Sequence, residues 1–299
     1  MRQRSAELAL LAVSIGLAAA AEGFPADAVV RFVHRPTEVG DRAHQELQFE
    51  VNLIIAISQN GQTAHTRDRG SRRRQSRDIS VLAVTDGRAT KARVDYSVSQ
   101  RSLSGSDRET SAAIQRDPVA GKSYLVARNR ADELVITDLV GNRPPPEELA
   151  IIARNMDAIG RRNPLASYFD QRTVSVGQTV SLPQQLANEL LGFEEPVGKV
   201  NRFDMTLVGT REMDGHRCAV FHTRIDWNSP LAEGRPLAMQ GEFLLETATC
   251  RIASLELSCP LKLEETRGPE GARFLVRGAG SLQIAMRSGR IRSAASTSR

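Results

Sequence analysis

The chain has 299 residues with a formal net charge of +5, and 40% of them are hydrophobic, which is enough for one large domain or two smaller ones. Apart from a run near the N-terminus, no stretch is apolar for long enough to cross a bilayer as a helix. The chain therefore lacks the composition of a protein built on membrane-spanning helices. Arginine supplies nearly all the positive charge, since lysine occurs only at Lys91, Lys122, Lys199 and Lys262.

The N-terminus has the pattern of a secretory signal peptide. Two arginines in the first four residues precede an apolar run at 8–21, and an Ala-x-Ala motif at 19–21 stands before Glu22. A membrane anchor is the alternative, but the run is short and ends in alanines. No cysteine follows the motif, so a bacterial lipid anchor is not expected. We predict a signal peptide at 1–21 and a periplasmic or secreted mature protein.

The predicted cleavage can be tested by expressing the full chain in a bacterium with two membranes and measuring the intact mass of each cell fraction. We expect the exported product to begin at Glu22, because signal peptidase cuts after small residues. An Ala21→Arg variant should block the cut. A cytoplasmic wild-type product that keeps residues 1–21 would contradict the assignment.

The segment after the signal has the pattern of β-strands joined by short turns. Residues 45–58 alternate most regularly, with an apolar side chain at every second position from Leu47 to Ile57. Asn60-Gly61 and Asp86-Gly87 are typical of tight hairpin turns. We predict strands at 28–33, 45–58, 79–85, 90–103, 123–128 and 133–140, with a polar loop at 104–119.

The densest charged run, Arg67 to Arg77, is predicted to be a solvated loop between strands. An attraction for phosphate, nucleic acid or anionic lipid is the functional alternative. No aromatic residue interleaves with these arginines to stack on bases, so we expect no nucleic-acid partner.

The centre of the chain changes to helical spacing. Leu149, Ile152 and Met156 recur at intervals of three and four residues within 147–159, after three prolines and before Gly160. A second helix is predicted at 183–191, a short one at 164–169, and a strand at 174–182.

The rest of the chain, from Phe203 to Met286, is predicted to be an antiparallel meander of one-sided strands. Leu255, Leu257 and Cys259 alternate with polar residues, as expected of a sheet with one buried face. We predict one β-rich domain over 22–290, whose segments 28–141 and 200–289 show a similar order of elements and are joined by the helical segment 144–192. The tail, 291–299, is predicted to be disordered.

Export makes the three cysteines candidates for a disulfide. If the strand from Arg217 pairs with residues 239–246, Cys218 lies opposite residue 245 and Cys250 lies just beyond it, within reach of a bridge. Cys259 then lies about 20 Å from Cys218. We predict a Cys218–Cys250 disulfide and a buried free thiol at Cys259.

No residue pattern predicts catalysis. Asp226, Glu242 and Glu246 lie on neighbouring predicted strands, where they suit a general acid and base. Ordinary pairing with Arg217 or Arg224 is the preferred interpretation.

Metal and cofactor sites are not predicted either. His216, Cys218 and His222 share a strand face but are spread too far apart to hold one ion at bond lengths of about 2 Å. The sequence has no Gly-x-Ser-x-Gly elbow, no phosphate-binding loop and no dinucleotide fingerprint.

The order of elements and the Gly-x-Phe-Leu-Leu-x-Thr hairpin at 241–247 resemble the lipoprotein-carrier superfamily. The chain also resembles exported β-rich bacterial families of unknown function. The resemblance to the carriers implies a curved antiparallel sheet or half-open barrel of about ten strands, with two short central helices over a concave face that binds acyl chains. The side chains then expected to face an apolar ligand are Leu149, Ile152, Met156, Leu255 and Leu257.

Three functions remain open from the sequence. The first is a non-catalytic binding or carrier module for a lipid or other apolar molecule. The second is a structural or interaction protein of the cell envelope, with a protein partner and no small-molecule ligand. The third is a hydrolase, which requires a cleft that gathers Asp226, Glu242 or a histidine.

Overall fold

The computed structural model describes residues 29–59, 62–105, 114–191, 199–228, 236–269 and 273–291. The predicted signal peptide, the Asn60-Gly61 turn and all but the first residue of the predicted tail lie outside these ranges. The strands in the described part are β1 (Val29–Arg31), β2 (Arg42–Gln59), β3 (Gln62–Thr85), β4 (Arg88–Gly105), β5 (Ile114–Arg116), β6 (Ser123–Arg128), β7 (Leu134–Asp138), β8 (Thr173–Ser175), β9 (Thr179–Ser181), β10 (Lys199–Met213), β11 (His216–Asn228), β12 (Pro236–Glu246), β13 (Ile252–Arg267) and β14 (Phe274–Arg290). The helices are α1 (Pro146–Met156), α2 (Pro164–Phe169) and α3 (Gln184–Leu191).

Twelve of the strands form one curved antiparallel sheet that does not close into a barrel. Its order is β7-β6-β4-β3-β2-β14-β13-β12-β11-β10-β9, and β5 pairs with β4. The strands β1 and β8 form a separate two-stranded ribbon. The predicted fold class is confirmed, although the described part has fourteen strands where about ten were expected, and the short helix predicted at 164–169 joins the two that were expected to cover the sheet.

Side-chain alternation gives the large sheet an inner face, which the helices cover in part, and an outer face. On β11, Ala219 and Phe221 belong to the inner face, whereas Cys218 and Val220 belong to the outer one. Phe221 lies opposite Phe243 of β12, so the ladder carries the same division onto the next strand. The alternation that predicted the meander is therefore the pattern that separates its two faces.

The inner face of β10–β13 buries the larger of two cores, which we call the meander core. The helices α2 and α3 and the ribbon of β1 and β8 cover it. The ring of Phe32 lies 4.9 Å from that of Phe169 and 6.2 Å from that of Phe221, which joins β1, α2 and the sheet. Buried aromatic side chains bring much of the packing energy of such a layer.

The inner face of β4, β6 and β7 buries a second core, the hairpin core, which α1 covers. Ile152 and Met156 are 0% and 2% exposed and pack with Val94 and Tyr124. The helix is also held by a buried carboxylate, because Glu148 accepts hydrogen bonds from Lys122 Nζ and Tyr124 Oη, both at 2.6 Å. Burial raises the pKa of Glu148, but these two hydrogen bonds outweigh burial and leave it below 4.5.

Arg128 fixes the end of α1. Its side chain, 6% exposed, donates to the carbonyl oxygens of Asp157 and Ile159, which no further helical turn satisfies. Gly160 follows with φ +81°, and its N–H donates to the carbonyl of Ala89 at 2.7 Å. The helix was predicted to run to residue 159 with Gly160 as its stop; it instead ends three residues earlier, at Met156, with Asp157 as its C-cap.

The prediction of a loop for Arg67 to Arg77 is wrong, because this run forms the middle of β3. The strand has ladder partners on both sides along this run, with β2 from Arg67 and with β4 from Arg69. Its arginines alternate between the two faces, and Arg72 Nε lies 3.7 Å from Glu50 on β2. Two-sided backbone pairing therefore outweighs the cost of placing charged side chains on a strand.

The predicted strand at 174–182 is broken into β8 and β9. Gly177, at φ +83°, turns the chain between them. The two pieces then serve different sheets, because β8 pairs with β1 and β9 pairs with β10.

The predicted Cys218–Cys250 disulfide is wrong, because all three cysteines are free. The register was predicted within one residue, since Cys218 lies opposite Glu246. However, Cys218 packs on the outer face, whereas Cys250, in a turn at φ +52°, belongs to the inner meander core. The sheet backbone separates the two thiols. The prediction of a buried free thiol at Cys259 is confirmed.

Thiol titration distinguishes three free thiols from a Cys218–Cys250 disulfide with one free thiol. Burial raises the pKa of the Cys218 thiol to about 11 and that of Cys250 to about 12, so neither forms an appreciable thiolate at about pH 8. We expect no reaction with a thiol reagent in the native protein and three reacting thiols in denaturant without reductant. One reacting thiol in denaturant would mean that a disulfide is present.

The Glu148 contact gives stability a pH dependence. Because the folded pKa is depressed, this contribution is present above about 4.5 and is lost as pH falls through the folded value. We expect Tyr124→Phe to lower the free energy of unfolding in urea by about 1–3 kcal/mol at neutral pH and by less in acid. Tyr168→Phe, which removes an exposed hydroxyl bond to Ser181, is the matched control and should cost less. A Tyr124→Phe effect that did not change with pH would contradict the assignment.

Candidate functional site

A cavity of about 800 Å³ lies on the inner face between the two cores. Its floor is formed by β2, β3, β13 and β14, which belong to the middle of the sheet. The apolar floor side chains come from these strands and include Ala43, Ile79, Val81, Ile252 and Met286. The cavity is therefore the part of the inner face that neither α1 nor the α2–α3 pair fills.

The linker between α1 and α2 forms the roof. Within this linker, Ile159 is buried in the hairpin core, and Leu165, in the first turn of α2 just after it, is buried in the meander core; both also line the cavity. Asn163 caps α2 by accepting from Leu165 N at 3.0 Å and donates to the carbonyl of Cys250 at 2.8 Å. Arg128 binds the start of the linker through the carbonyls of Asp157 and Ile159, so the roof is fixed to both cores.

The cavity walls carry an excess of positive charge. Three aspartates, at 41, 86 and 170, face five arginines, which are Arg42, Arg88, Arg161, Arg162 and Arg251. Arg161 is paired with Asp157, and Arg42 donates to Ser80 Oγ. Within the described part of the chain, the side chains of Arg88 and Arg162 make no hydrogen bond or ion pair.

Two arginines converge on one aspartate at the β14 end of the floor. Arg251 Nη2 lies 3.6 Å from Asp41 Oδ2, and Arg290 Nη2 lies 4.0 Å from Asp41 Oδ1. Arg251 also donates to Thr37 Oγ1 at 2.9 Å, and Asp41 accepts the backbone N–H of Glu38. The Nε and Nη2 atoms of Arg290 are buried and have no hydrogen-bond acceptor among the described residues. We call Asp41, Arg251 and Arg290 the rim triad.

A further arginine lies on the opposite side of β2. Arg77 donates from Nε to Gln45 Oε1, and Gln45 lines the cavity. Its Nη1 atom is also buried without an acceptor in the described residues, and burial lowers the pKa of this guanidinium. Three of the four buried side-chain atoms that lack a partner there thus belong to arginines beside the cavity floor.

The residues predicted to face an apolar ligand are divided between the two cores. Ile152 and Met156 are buried in the hairpin core, with Leu149 packed against it, and Leu255 and Leu257 are buried in the meander core. None of the five is among the described cavity-lining residues. Their contact with a ligand stays a prediction.

The carboxylates considered for catalysis lie on the outer face and are paired. Asp226 accepts from Arg224 at 3.1 Å, as predicted, whereas Glu242 makes a two-point contact with Arg211 at 2.8 and 3.2 Å. Glu246 accepts from Thr249 Oγ1. These are structural contacts, but none joins neighbouring strands: Arg224 and Asp226 share β11, Arg211 reaches Glu242 from β10 across β11, and Thr249 lies in the turn after Glu246.

Metal ligands are not gathered in the described part of the chain, where no group of three or more His, Cys, Asp or Glu side chains is close enough to hold an ion. His222 is exposed on the outer face of β11, and Cys218 is buried on the same face four residues away, with Val220 between them.

The residues of the rim triad were not predicted from sequence. Asp41 lies between two predicted strands, Arg251 follows a turn, and Arg290 lies beyond the last predicted strand. The one available signal was the continued alternation of β14 after Met286, where Ser288 and Arg290 keep the inward register.

No protein-family model and no curated protein match the chain. Among solved structures, one titled for lipid–protein interactions in lipovitellin aligns at 10% identity and a TM-score of 0.36 over 86% of this chain and 26% of that one. The chain thus spans about a quarter of the lipovitellin chain. A LolA superfamily protein from Nitrosomonas europaea aligns at 11% identity and a TM-score of 0.13 over 82% of this chain and 86% of that one.

The expected resemblance to lipid-carrier β-rich folds is thus confirmed as a weak one. At these TM-scores, neither structure carries an argument about what this chain binds. Among its described residues, none of the helices has the length and apolar character to cross a membrane.

Proposed function

We propose that this protein is an exported, non-catalytic binding or carrier module for an apolar ligand with an acyl chain. The observation that carries the proposal is the cavity of about 800 Å³ between two filled cores. Ligand sites commonly have volumes of about 300–1,000 Å³ and apolar walls with a few polar groups. The floor of Ala43, Ile79, Val81 and Met286 and the charged rim fit that description.

Export and the carrier role rest on the N-terminal pattern and on the resemblance of element order. An acyl chain held beneath the α1–α2 linker is shielded from water on the sheet side by apolar residues, which favours its transfer through an aqueous compartment. The absence of a catalytic role is supported by the paired state of Asp226 and Glu242 on the opposite face.

A second candidate is an interaction protein of the cell envelope. The inner face of β2 continues beyond the cavity with a row of half-exposed apolar side chains, Leu53, Ile55 and Ile57, next to Phe49, which is 36% exposed. Contiguous apolar surface of this kind often marks an interaction site. This candidate predicts a protein partner and no ligand in the cavity.

Filling the floor tests the proposal. In Ala43→Phe a ring occupies the cavity, so we expect binding of an environment-sensitive lipophilic probe to weaken at least about tenfold, or about 1.4 kcal/mol. Ala56→Phe is the matched control, because Ala56 lies on the same strand with its side chain on the outer face. It should bind the probe like the wild type.

Native mass spectrometry of the purified wild-type protein provides the second measurement. We expect co-purifying lipid that is reduced in Ala43→Phe and retained in Ala56→Phe. A wild-type protein with neither bound lipid nor probe binding would overturn the proposal, and a crosslinked envelope partner would then support the second candidate.

A further inference from the structure

The rim triad places two guanidinium groups around a single carboxylate: Asp41 and Arg251 line the cavity, and Arg290, which is not itself among the lining residues, lies next to Asp41. Neither arginine is within hydrogen-bond distance of Asp41, since the closest contacts are 3.6 and 4.0 Å. The side chains of Asp41 and Arg290 are only 13% and 19% exposed. The triad therefore keeps a net charge of +1 in a largely buried position.

Arg290 has donors for which the protein supplies no acceptor. Its Nε and Nη2 atoms are buried and unbonded among the described residues, whereas buried polar groups in proteins nearly always have a partner. An uncompensated charged donor is costly to bury. Two adjacent N–H groups of one guanidinium have the fork geometry that binds the two oxygens of a carboxylate or a phosphate.

The position of Arg290 connects this anion site to the apolar floor. Arg290 pairs with Ala43 across the β2–β14 ladder, and Ser288 and Met286 precede it on the same face of β14. Neighbouring side chains on one face of a strand are about 7 Å apart. An anionic head group bound at the rim triad would thus place its acyl chain over Met286 and Ala43.

We infer that the ligand of this cavity is an anionic amphiphile, in which a carboxylate or phosphate head group contacts Arg290 and Arg251 and the acyl chain lies on the floor. This inference rests on the proposed function and specifies its ligand class. The rest of the cavity lining also carries an excess of positive charge, because the side chains of Arg88 and Arg162 have no partner in the described part of the chain. A neutral apolar ligand would leave the buried donors of Arg290 without an acceptor.

Four small molecules separate the contributions of head and chain. Dodecanoate and dodecyl phosphate carry both, dodecanol carries the chain with a neutral head, and inorganic phosphate carries the anion alone. Their affinities for the full chain are measured by displacement of the lipophilic probe and by calorimetry. We expect both anionic amphiphiles to bind roughly tenfold or more tightly than dodecanol, as for a charged hydrogen bond, and inorganic phosphate to bind much more weakly.

Arg290→Gln tests the assigned contact. We expect it to weaken dodecanoate and dodecyl phosphate roughly tenfold or more while dodecanol changes less than about twofold. Arg287→Gln is the matched control, since Arg287 is exposed on the outer face of the same strand, and it should change none of the affinities. The melting temperature of Arg290→Gln should not fall below that of the wild type, because the buried Nε and Nη2 donors make no hydrogen bond in the free protein and are costly to bury.

The outcomes separate this inference from the function on which it rests. If no amphiphile binds, the proposed function fails. If dodecanol binds as tightly as dodecanoate, or if Arg290→Gln and Arg287→Gln weaken dodecanoate equally, only the anionic head group is refuted. Inorganic phosphate that binds as tightly as dodecyl phosphate would show a free-anion site and overturn the amphiphile. Should Arg290→Gln fail to fold, the wild-type preference for dodecanoate over dodecanol still decides the question.

Discussion

The sheet of this protein has a wider inner face than its helices can cover. Neighbouring strands are about 4.8 Å apart, whereas α1, with eleven residues, is about 16 Å long and so covers roughly three strands. The helices α2 and α3 are shorter still, with six and eight residues. Each end of the sheet therefore acquires its own core, and the middle strands β2, β3 and β14 are left between them. The cavity is a direct consequence of this mismatch.

An uncovered strip of this kind would close if the helices were free to slide inward, and specific contacts oppose that movement. Arg128 binds the terminal carbonyls of α1, and Gly160 donates to Ala89. At the other core, Asn163 ties the start of α2 to the carbonyl of Cys250, while Phe169 packs against Phe32. Since both ends of the linker are fixed to different cores, the roof spans the gap and the cavity is preformed. Preformed sites avoid the ordering cost of binding.

The sequence located those strands and helices that bury one face. It did not locate structure that depends on pairing between segments distant in the sequence. Alternation located the strands of the meander, and helical spacing located α1 through Ile152 and Met156, because burial of one face imposes a period. The arginine run of β3 has no such period and was assigned to a loop, yet pairing with β2 and β4 makes it a strand. The Cys218–Cys250 prediction estimated distance along the ladder correctly but did not consider which face each thiol occupies. The rim triad could not be predicted, because its three members are distant in sequence and meet only when β14 pairs with β2.

The arginines beside the cavity floor distinguish a binding site from a merely incomplete core. A gap whose only role was structural would be most stable when lined by apolar side chains, since replacing buried charged groups by apolar ones is often neutral or stabilising. Beside this cavity, on both sides of β2, Arg77 and Arg290 instead have buried guanidinium donors without an acceptor among the described residues. Each such donor costs about 1–3 kcal/mol in the free protein. An acceptor that reached these donors from the cavity would offset that cost, which is why the proposed ligand is anionic rather than neutral.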